Sequence, residues 1–170
     1  DLRFETHSYT AEVDGIEATF RTVPGLFSEQ GLDQGTRKLI ENMDVNDGHE
    51  ILDLGCGYGP VTAYAAKMAD IDAVMTDDSA LAAYYAQENM ELNGIDAKVR
   101  NGDVLSEVEE EVFDRVLTNP PTHAGSDVTA EFFNASYDVL EDGGEMYLVY
   151  NDVMGYENDL QDIFSEVEVL

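Results

Sequence analysis

A glycine-rich loop at residues 55–59 is the part of the sequence whose residue types and spacing best suit binding chemistry. Glycine lets the backbone approach a ligand closely, and a loop between a strand and a helix directs N–H groups toward that ligand. The spacing departs from the dinucleotide-binding pattern, because Gly57 and Gly59 are two positions apart and an acid, Asp53, precedes the loop. A carboxylate suits an ammonium group better than a pyrophosphate, directly or through water. The loop therefore predicts a ligand with a cationic head, bound by Asp53, Gly55, Cys56, Gly57 and Gly59.

Further acids follow the loop at spacings that suit the rest of such a ligand. Asp77 ends the next predicted strand, 24 positions after Asp53, where a carboxylate can accept both hydroxyls of a ribose. Asp103 follows the third core strand and could accept the exocyclic amine of an adenine. With Asp78 included, these acids predict a site for S-adenosylmethionine. Simpler roles stay open: the glycines could only turn the chain, Asp77 could cap a helix, and Asp103 could be surface charge.

The loop and the spaced acids resemble the class I S-adenosylmethionine-dependent methyltransferases, across about the whole chain. The resemblance implies a Rossmann-like fold with the cofactor beyond the carboxyl ends of the strands. Cys56 has no His or Asp arranged around it in the sequence, so we interpret it as a small loop residue rather than a nucleophile.

The sequence Asn119-Pro120-Pro121-Thr122-His123 resembles the Asn-Pro-Pro-aromatic motif of methyltransferases that act on planar amide or amine nitrogens. The lone pair of such a nitrogen is delocalised, so the nitrogen attacks poorly until acceptors hold its two hydrogens. The Asn119 side-chain oxygen and the Pro120 carbonyl can be those acceptors, and the prolines keep the carbonyls aimed. Asn119 and Pro120 are therefore the predicted catalytic residues, with Asn119 also at the cofactor. Alternatively, the prolines only prevent a helix after the strand.

The residues after the first proline are predicted to contact the substrate. Thr122 follows Pro121 where an aromatic residue often stacks on the target base, and a threonine cannot stack. His123 could stack or hydrogen-bond, although a lone histidine is more often structural.

The motif as far as Gly125, with residues 25–28 (Gly-Leu-Phe-Ser) and 32–36 (Leu-Asp-Gln-Gly-Thr), looks like a narrower family. This is the small-domain methyltransferase family that includes the small-subunit ribosomal RNA guanine-N2 methyltransferases. The resemblance implies that the upstream segment lies across the cofactor pocket, with Phe27 as a lid residue that contacts substrate, or else as a buried packing residue. It also implies ribosomal RNA or the assembling small ribosomal subunit as partner.

Two other hypotheses stay open. In one, the cofactor is the same and the acceptor is a protein glutamine, another base in DNA or tRNA, or a small-molecule amine; Thr122 counts against glutamine and adenine. In the other, the chain is a non-catalytic binding module, which loss of the loop or of Asn119 would have favoured. Both features are intact.

The elements that would position these residues alternate along the chain. An Asp14-Gly15 turn predicts a β-hairpin at residues 9–13 and 16–23, and Asp33 predicts the N-cap of a helix at 32–43. Further strands are predicted at 50–54, 73–76, 97–100, 113–118, 145–150 and 167–170, and helices at 60–69, 80–92, 128–140 and 156–164. This order predicts an α/β fold: a mostly parallel sheet of the seven-stranded type with helices on both faces, whose last strand could lie beyond residue 170. We interpret residues 1–170 as a single domain, with the hairpin and cofactor-covering segment at 1–30 and the Rossmann-like core at 49–170.

Acidic residues dominate the composition. The 170 residues include 37 Asp and Glu against 8 Lys and Arg, a net charge of −29. The acids are spread along the chain, and their repulsion is relieved when molar salt shortens the screening length to about 3 Å. We interpret this as a cytoplasmic protein of a haloarchaeon-like halophile. The alternative, an acidic mimic that binds basic partners, would concentrate its charge on one segment or face.

The composition also limits partners. No apolar run approaches the roughly 20 residues that cross a bilayer, so no membrane partner is expected. The lone Cys56 excludes a disulfide framework within one chain and a multi-thiolate metal site, and no metal is expected. A few basic residues in the N-terminal part could form a local RNA-facing patch: Arg3, Arg21, Arg37, Lys38 and His7.

Overall fold

The computed structural model describes residues 5–103, 106–108, 110–120, 126–151 and 154–170. Near its start, β1 (His7–Val13) and β2 (Ile16–Thr22) form the predicted antiparallel hairpin. The turn between them needs two residues with positive φ, and Asp14 at 50° and Gly15 at 80° supply them. The hairpin is a two-stranded sheet separate from the main one.

The main sheet has five strands in the described part of the chain, all parallel, in the order β5-β4-β3-β6-β7. Their bounds are β3 Glu50–Leu54, β4 Asp72–Asp77, β5 Lys98–Asn101, β6 Phe113–Thr118 and β7 Leu140–Leu148. The order reverses between β3 and β6, and open α/β sheets bind ligands beyond the carboxyl ends of strands at such a switch point. The predicted Rossmann-like α/β class is confirmed.

Helices cover both faces of this sheet, as predicted. Side chains alternate across each strand, so Ile51 and Met75 face a core shared with the hairpin, α1, α2 and α3. Leu52 and Val74 face a second core, which Phe132 of α4 helps to cover. No helix within the described ranges is long and apolar enough to span a membrane. The helix bounds are α1 Gln34–Asn42, α2 Pro60–Met68, α3 Ala80–Leu92, α4 Ser126–Asp138 and α5 Glu157–Ile163.

Two asparagines on α3 attach the hairpin to the core. Asn89 Oδ1 accepts a hydrogen bond from the Arg21 N–H (2.7 Å), and its Nδ2 donates to the Arg21 carbonyl (3.0 Å). One turn later, Asn93 makes the same pair of bonds with Thr19, at 3.2 and 2.8 Å. Four residues of helix and two residues of strand both advance by about 6–7 Å, so the spacings match. The side-chain amides therefore complete an edge of β2 as a neighbouring strand would.

The C-terminal half differs from the sequence-based prediction at β7, at the helix before it and at residues 167–170. β7 begins at Leu140, not at residue 145, because Leu140 pairs with Phe113 and the register then shifts before the next pairs. Gly143 has a φ of 80°, and a Cβ on Gly144 would lie 2.9 Å from the Glu141 carbonyl oxygen, so this pair forms an irregularity within the strand. The helix before it accordingly ends two residues early.

Residues 167–170, predicted as a strand, are not a strand. A strand requires a hydrogen-bonded neighbour, and no described residue pairs with these four in a sheet. The prediction of a strand here is therefore wrong, and Val169 and Leu170 are exposed.

Candidate active site

The carboxyl ends of the central strands meet at one edge of the sheet and carry the predicted residues. Leu54 lies opposite Thr76 on one side and Thr118 on the other. Because parallel strands end at the same edge, the glycine loop after β3, Asp77 at the end of β4 and Asn119 after β6 are brought together there.

The glycine loop is tightly packed on one side and open on the other. Gly55, Gly57 and Gly59 have φ values of 70°, 57° and 97°, a region that favours glycine. A Cβ on Gly59 would lie 2.9 Å from Cε of Met90 and 3.0 Å from Cε of Met75, so a larger residue at the start of α2 would displace these methionine side chains. A Cβ on Gly55 or Gly57 would meet no heavy atom of the described residues within 4 Å. The loop therefore presents bare backbone to an open space.

Asp77 links this loop to the end of β4. Its Oδ2 accepts a hydrogen bond from the Gly57 N–H (2.8 Å), and its Oδ1 accepts one from the Ser79 N–H (2.9 Å). Burial raises the pKa of Asp77 above its ordinary value, against the lowering effect of these two N–H groups. The N-cap of α3 is Ser79, whose Oγ accepts from the Ala82 N–H (3.3 Å). The carboxylate of Asp77, which is 9% exposed, is thus held against the loop at Gly57.

Asp53 lies below the loop rather than beside its open face. It is only 2% exposed, and its Oδ2 accepts hydrogen bonds from Oγ1 (2.7 Å) and N–H (3.2 Å) of Thr62 in α2. Burial raises the pKa of Asp53 from 3.8 to about 6, although both bonds from Thr62 favour the ionised form. Any direct contact between Asp53 and a ligand stays a prediction.

The remaining predicted acids are exposed at the ends of β4 and β5. Asp78 follows Asp77, and Asp103 follows β5 by two residues. Asn101 joins the two strand ends, since its Nδ2 donates to the carbonyls of Asp77 (3.0 Å) and Asp78 (3.2 Å). The carboxylates of Asp78 and Asp103 therefore lie at the outer rim of this edge.

Cys56 is a buried structural residue of the loop. Its N–H donates to the Thr76 carbonyl (2.9 Å) and its thiol to the Gly57 carbonyl (3.5 Å). Burial raises the pKa of the thiol well above its ordinary value, and the carboxylates of Asp53 and Asp77 act in the same direction. A thiol kept neutral in this way is a poor nucleophile, which agrees with the interpretation from the sequence.

Asn119 lies against the first turn of α1. Its Nδ2 donates to Oγ1 of Thr36 (3.2 Å), and both Asn119 and Pro120 are half-buried. The residues predicted to contact substrate after them, Pro121, Thr122 and His123, lie outside the described residues, as does Arg3.

Phe27 is 70% exposed, so the alternative that it is a buried packing residue is wrong. Its segment, residues 23–33, lies close to the predicted cofactor site. The Tyr58 hydroxyl of the glycine loop donates to the Ser28 carbonyl (3.3 Å), and a Cβ on Gly25 would lie 3.9 Å from Cδ2 of Leu81 in α3. Phe27 is thus an exposed aromatic residue on a segment that contacts both Tyr58 of the loop and α3.

Comparison with known proteins identifies the family. The family model described as "Methyltransferase small domain" matches residues 17–170. The chain belongs to this family. Among its relatives, the ribosomal RNA small subunit methyltransferase C of Pseudoalteromonas atlantica is 37% identical over 94% of this chain and 48% of its own length. The protein of the same name from Escherichia coli is 32% identical over 98% of this chain and 50% of its own length.

A solved structure is similar over nearly the whole of this methyltransferase small domain. It is the T. thermophilus 16S rRNA N2 G1207 methyltransferase (RsmC) in complex with AdoMet and guanosine, with a TM-score of 0.86 and 32% identity. The match covers 97% of this chain and 47% of that one. The chain spans about half the length of the curated relatives it matches.

The site of this methyltransferase small domain fits a nucleoside with a cationic head. The open space beside Gly55 and Gly57 lets a ligand approach bare backbone, which a Cβ at either position would obstruct. Asp77 supplies a carboxylate at the rim of that space, and Asp53 supplies a second acid from below. The described groups that donate hydrogen bonds to these two carboxylates include no basic side chain. The negative charge of the two acids therefore favours a positively charged ligand.

Sequence reasoning missed the residues that hold this site from behind. Asn89, besides binding the hairpin, donates from Nδ2 to the Tyr58 carbonyl (2.9 Å). The Tyr58 and Tyr9 hydroxyls share a hydrogen bond of 2.5 Å, and burial raises the pKa of both phenols, that of Tyr9 to about 12. The only signal for them in the sequence is a pair of asparagines four residues apart on one helix face.

Proposed function

We propose that the chain is an S-adenosylmethionine-dependent N-methyltransferase that modifies the exocyclic amine of a guanine in small-subunit ribosomal RNA. One observation carries the proposal: the open glycine loop, Asp77 and Asn119 share one sheet edge in a chain that is 32% identical to RsmC. The names of the curated relatives support methylation of small-subunit ribosomal RNA, and the name of the solved structure supports N2 of a guanine as the acceptor.

The cofactor would be held by the loop and by the acids at the strand ends. Gly55, Cys56, Gly57 and Gly59 would form the backbone surface, Asp77 and Asp78 would accept the ribose hydroxyls, and Asp103 the adenine amine. Asp53 would act on the cationic head through its charge from below. When bound, S-adenosylmethionine supplies a methyl group that leaves its sulfonium sulfur as the acceptor nitrogen bonds to the methyl carbon and releases a proton.

Asn119 and Pro120 would prepare the acceptor nitrogen. Their oxygens accept the two hydrogens of the amine and draw the nitrogen out of conjugation, which directs its lone pair toward the methyl group. Neither residue is a strong base, so the rate would depend on alignment within a dehydrated site. Phe27, Pro121, Thr122 and His123 would contact the base.

The described structure supports different roles for two parts of a single domain. Residues 49–170 would form the catalytic core, and residues 1–30 the hairpin with the segment that covers the cofactor. The exposure of Phe27 beside the loop supports a contact with substrate rather than with the core.

We further propose that the protein works in the cytoplasm of a halophile. A net charge of −29 would repel RNA at low salt, but in molar salt the electrostatic term is weak for every protein. Recognition would then depend on stacking, hydrogen bonds and shape, which an acidic surface permits.

Two variants test the proposal. Asp77→Ala should weaken S-adenosylmethionine binding by about 10- to 100-fold, because charge-assisted hydrogen bonds are lost, as measured by calorimetry in molar KCl. Asn119→Ala should keep cofactor affinity and reduce methyl transfer by about 100-fold or more. Transfer is measured with labelled cofactor on 16S ribosomal RNA, and on small subunits from a strain that lacks the gene.

The controls are Asp142→Ala and Asn134→Ala, which remove the same side chains from exposed positions. Unchanged cofactor binding by Asp77→Ala would remove Asp77 from the ribose site, and full activity of Asn119→Ala would refute the amine clamp. A wild-type chain that binds cofactor but methylates neither RNA substrate would overturn the assignment of substrate.

A further inference from the structure

We propose that Thr36 is a positioning residue for the acceptor: it holds Asn119 with its amide nitrogen turned away and its Oδ1 toward the amine. The inference rests on the proposed function, because it concerns how the predicted clamp is oriented. An asparagine amide has nearly the same shape when it is flipped, yet one end accepts hydrogen bonds and the other donates them. A flipped Asn119 would present N–H groups to an amine that needs an acceptor.

Thr36 is itself rigidly held. It is the third residue of α1, it is 4% exposed, and its N–H donates to Oδ2 of the N-cap Asp33 (3.1 Å). Burial and β-branching restrict the rotamers of Thr36, and its Oγ1 accepts a hydrogen bond from Asn119 Nδ2 at 3.2 Å. The contact joins residues 83 positions apart in sequence.

The first turn of α1 is packed tightly enough to keep this contact. A Cβ on Gly35 would lie 2.9 Å from Cγ1 of Val149, so only glycine lets α1 approach the end of β7 this closely. The Val149 N–H in turn donates to the Thr118 carbonyl (3.1 Å), directly before Asn119. Thr36 and Asn119 are therefore held from both sides of their hydrogen bond.

A neighbouring charge favours the same orientation of the amide. The Asp33 Oδ2 and the Asn119 Nδ2 lie 3.1 Å and 3.5 Å from the point that a Cβ on Gly35 would occupy, so the two atoms share one corner of the site. A carboxylate attracts amide hydrogens and repels an amide oxygen, which favours Nδ2 on this side. Oδ1 is left for the substrate, and an acceptor-only end selects an amine rather than a carbonyl oxygen.

The test compares Thr36→Val with Thr36→Ser in the full chain. Valine keeps the shape and removes the hydroxyl, so kcat for methyl transfer to 16S ribosomal RNA should fall by about tenfold, while cofactor affinity and the KM for RNA change by less than about twofold. Serine keeps the hydroxyl and should restore most of the rate. The matched control is Thr10→Val, which removes a hydroxyl that bonds Thr19 on the exposed hairpin (2.8 Å).

The results distinguish a failure of the role proposed for Thr36 from a failure of the proposed function. Wild-type kcat in Thr36→Val, with Asn119→Ala inactive, overturns the role of Thr36 and leaves the clamp intact. A loss confined to cofactor binding or to KM also overturns it. Absence of transfer by the wild-type chain instead defeats the proposed function.

A measurement on the wild-type chain covers the case in which Thr36→Val does not fold. The Asn119 side-chain amide resonances, assigned by their loss in Asn119→Asp, should exchange with water more slowly than those of the exposed Asn158. Exchange as fast as that of Asn158 would mean that Nδ2 is not held and would overturn the inference.

Discussion

The two hydrogen bonds from Thr62 decide what Asp53 can do. A carboxylate that is 2% exposed and bonded to α2 cannot turn toward a ligand without breaking those bonds. Its influence on a cation is therefore electrostatic and requires the ionised form. Because burial raises the pKa of Asp53 to about 6, this charge is maintained at neutral pH at a cost in stability.

That cost predicts how stability changes with pH. The folded-state pKa of about 6 exceeds the ordinary 3.8, so the native state binds more protons between these values and the unfolding free energy due to Asp53 falls as pH rises through them. The difference corresponds to about 3 kcal/mol. Relative to the wild type, Asp53→Asn should therefore gain up to about 3 kcal/mol between about pH 4 and pH 7, measured by urea unfolding in molar KCl.

The exposed Asp142→Asn serves as the control and should show no such trend. A constant difference between Asp53→Asn and the wild type across this range would mean that Asp53 does not titrate abnormally.

Residues at strand ends could be predicted from sequence, whereas their partners could not. Asp77 and Asn119 were found because a parallel sheet brings its carboxyl ends together, whatever the details of packing. Thr36 and Asn89 reach the site across 83 and 31 positions of chain, and nothing in local spacing indicates such contacts. The exposure of Phe27 likewise depends on how residues 23–33 turn.

At the scale of elements, the hairpin depends on α3 rather than on a strand for its place. Asn89 and Asn93 hold the backbone of Arg21 and Thr19, and Asn89 also holds the glycine loop through Tyr58. The hairpin, α3 and the loop are therefore expected to move as one unit.

Asn89→Ala should destabilise the protein strongly, because it leaves backbone groups on two elements without their partner. The expected loss is about 3 kcal/mol, which corresponds to a fall in Tm of roughly 6–12 °C. Scanning calorimetry in molar KCl measures it. Asn134→Ala, whose Nδ2 bonds only one described group, the Ala130 carbonyl within α4, should change Tm by less than about 2 °C. Equal effects of the two variants would contradict the role given to Asn89.

Boundaries of helices and strands were predicted correctly where the turn or cap residues suit only one structure. The prediction failed at a glycine pair that can lie either in a turn or in an irregular strand. The structure confirms the Asp14-Gly15 turn and the N-cap at Asp33, although α1 begins at Gln34 rather than at residue 32. Gly143 and Gly144 look like a helix-to-strand turn but lie inside β7, since only the pairing of Leu140 with β6 reveals the strand. Strand pairing depends on residues far apart in sequence, so the periodicity of apolar residues could not reveal that Leu140 belongs to a strand.

At the scale of the whole molecule, charge is the dominant feature. Arg37, Arg100 and Arg115 each pair with an acid, but 8 basic residues cannot balance 37 acidic ones. The excess is spread over the surface, where repulsion between neighbours is felt within a screening length of about 8 Å at physiological salt and about 3 Å at 1 M. Folding brings these charges closer together, so low salt should disfavour the native state.

Tm should therefore rise steeply with KCl between about 0.1 and 1 M, since the screening length falls threefold over that range. A gain of about 3 kcal/mol would raise Tm by roughly 6–12 °C. Screening is separated from the general effect of salt on hydrophobic burial by a variant that neutralises four exposed acids: Asp96→Asn, Asp142→Asn, Glu166→Gln and Glu168→Gln. Because it carries less repulsion to screen, this variant should be more stable than the wild type at low salt and converge with it at high salt. Parallel curves for the two proteins would show that salt acts through burial and that the acidic surface is not what makes the fold depend on it.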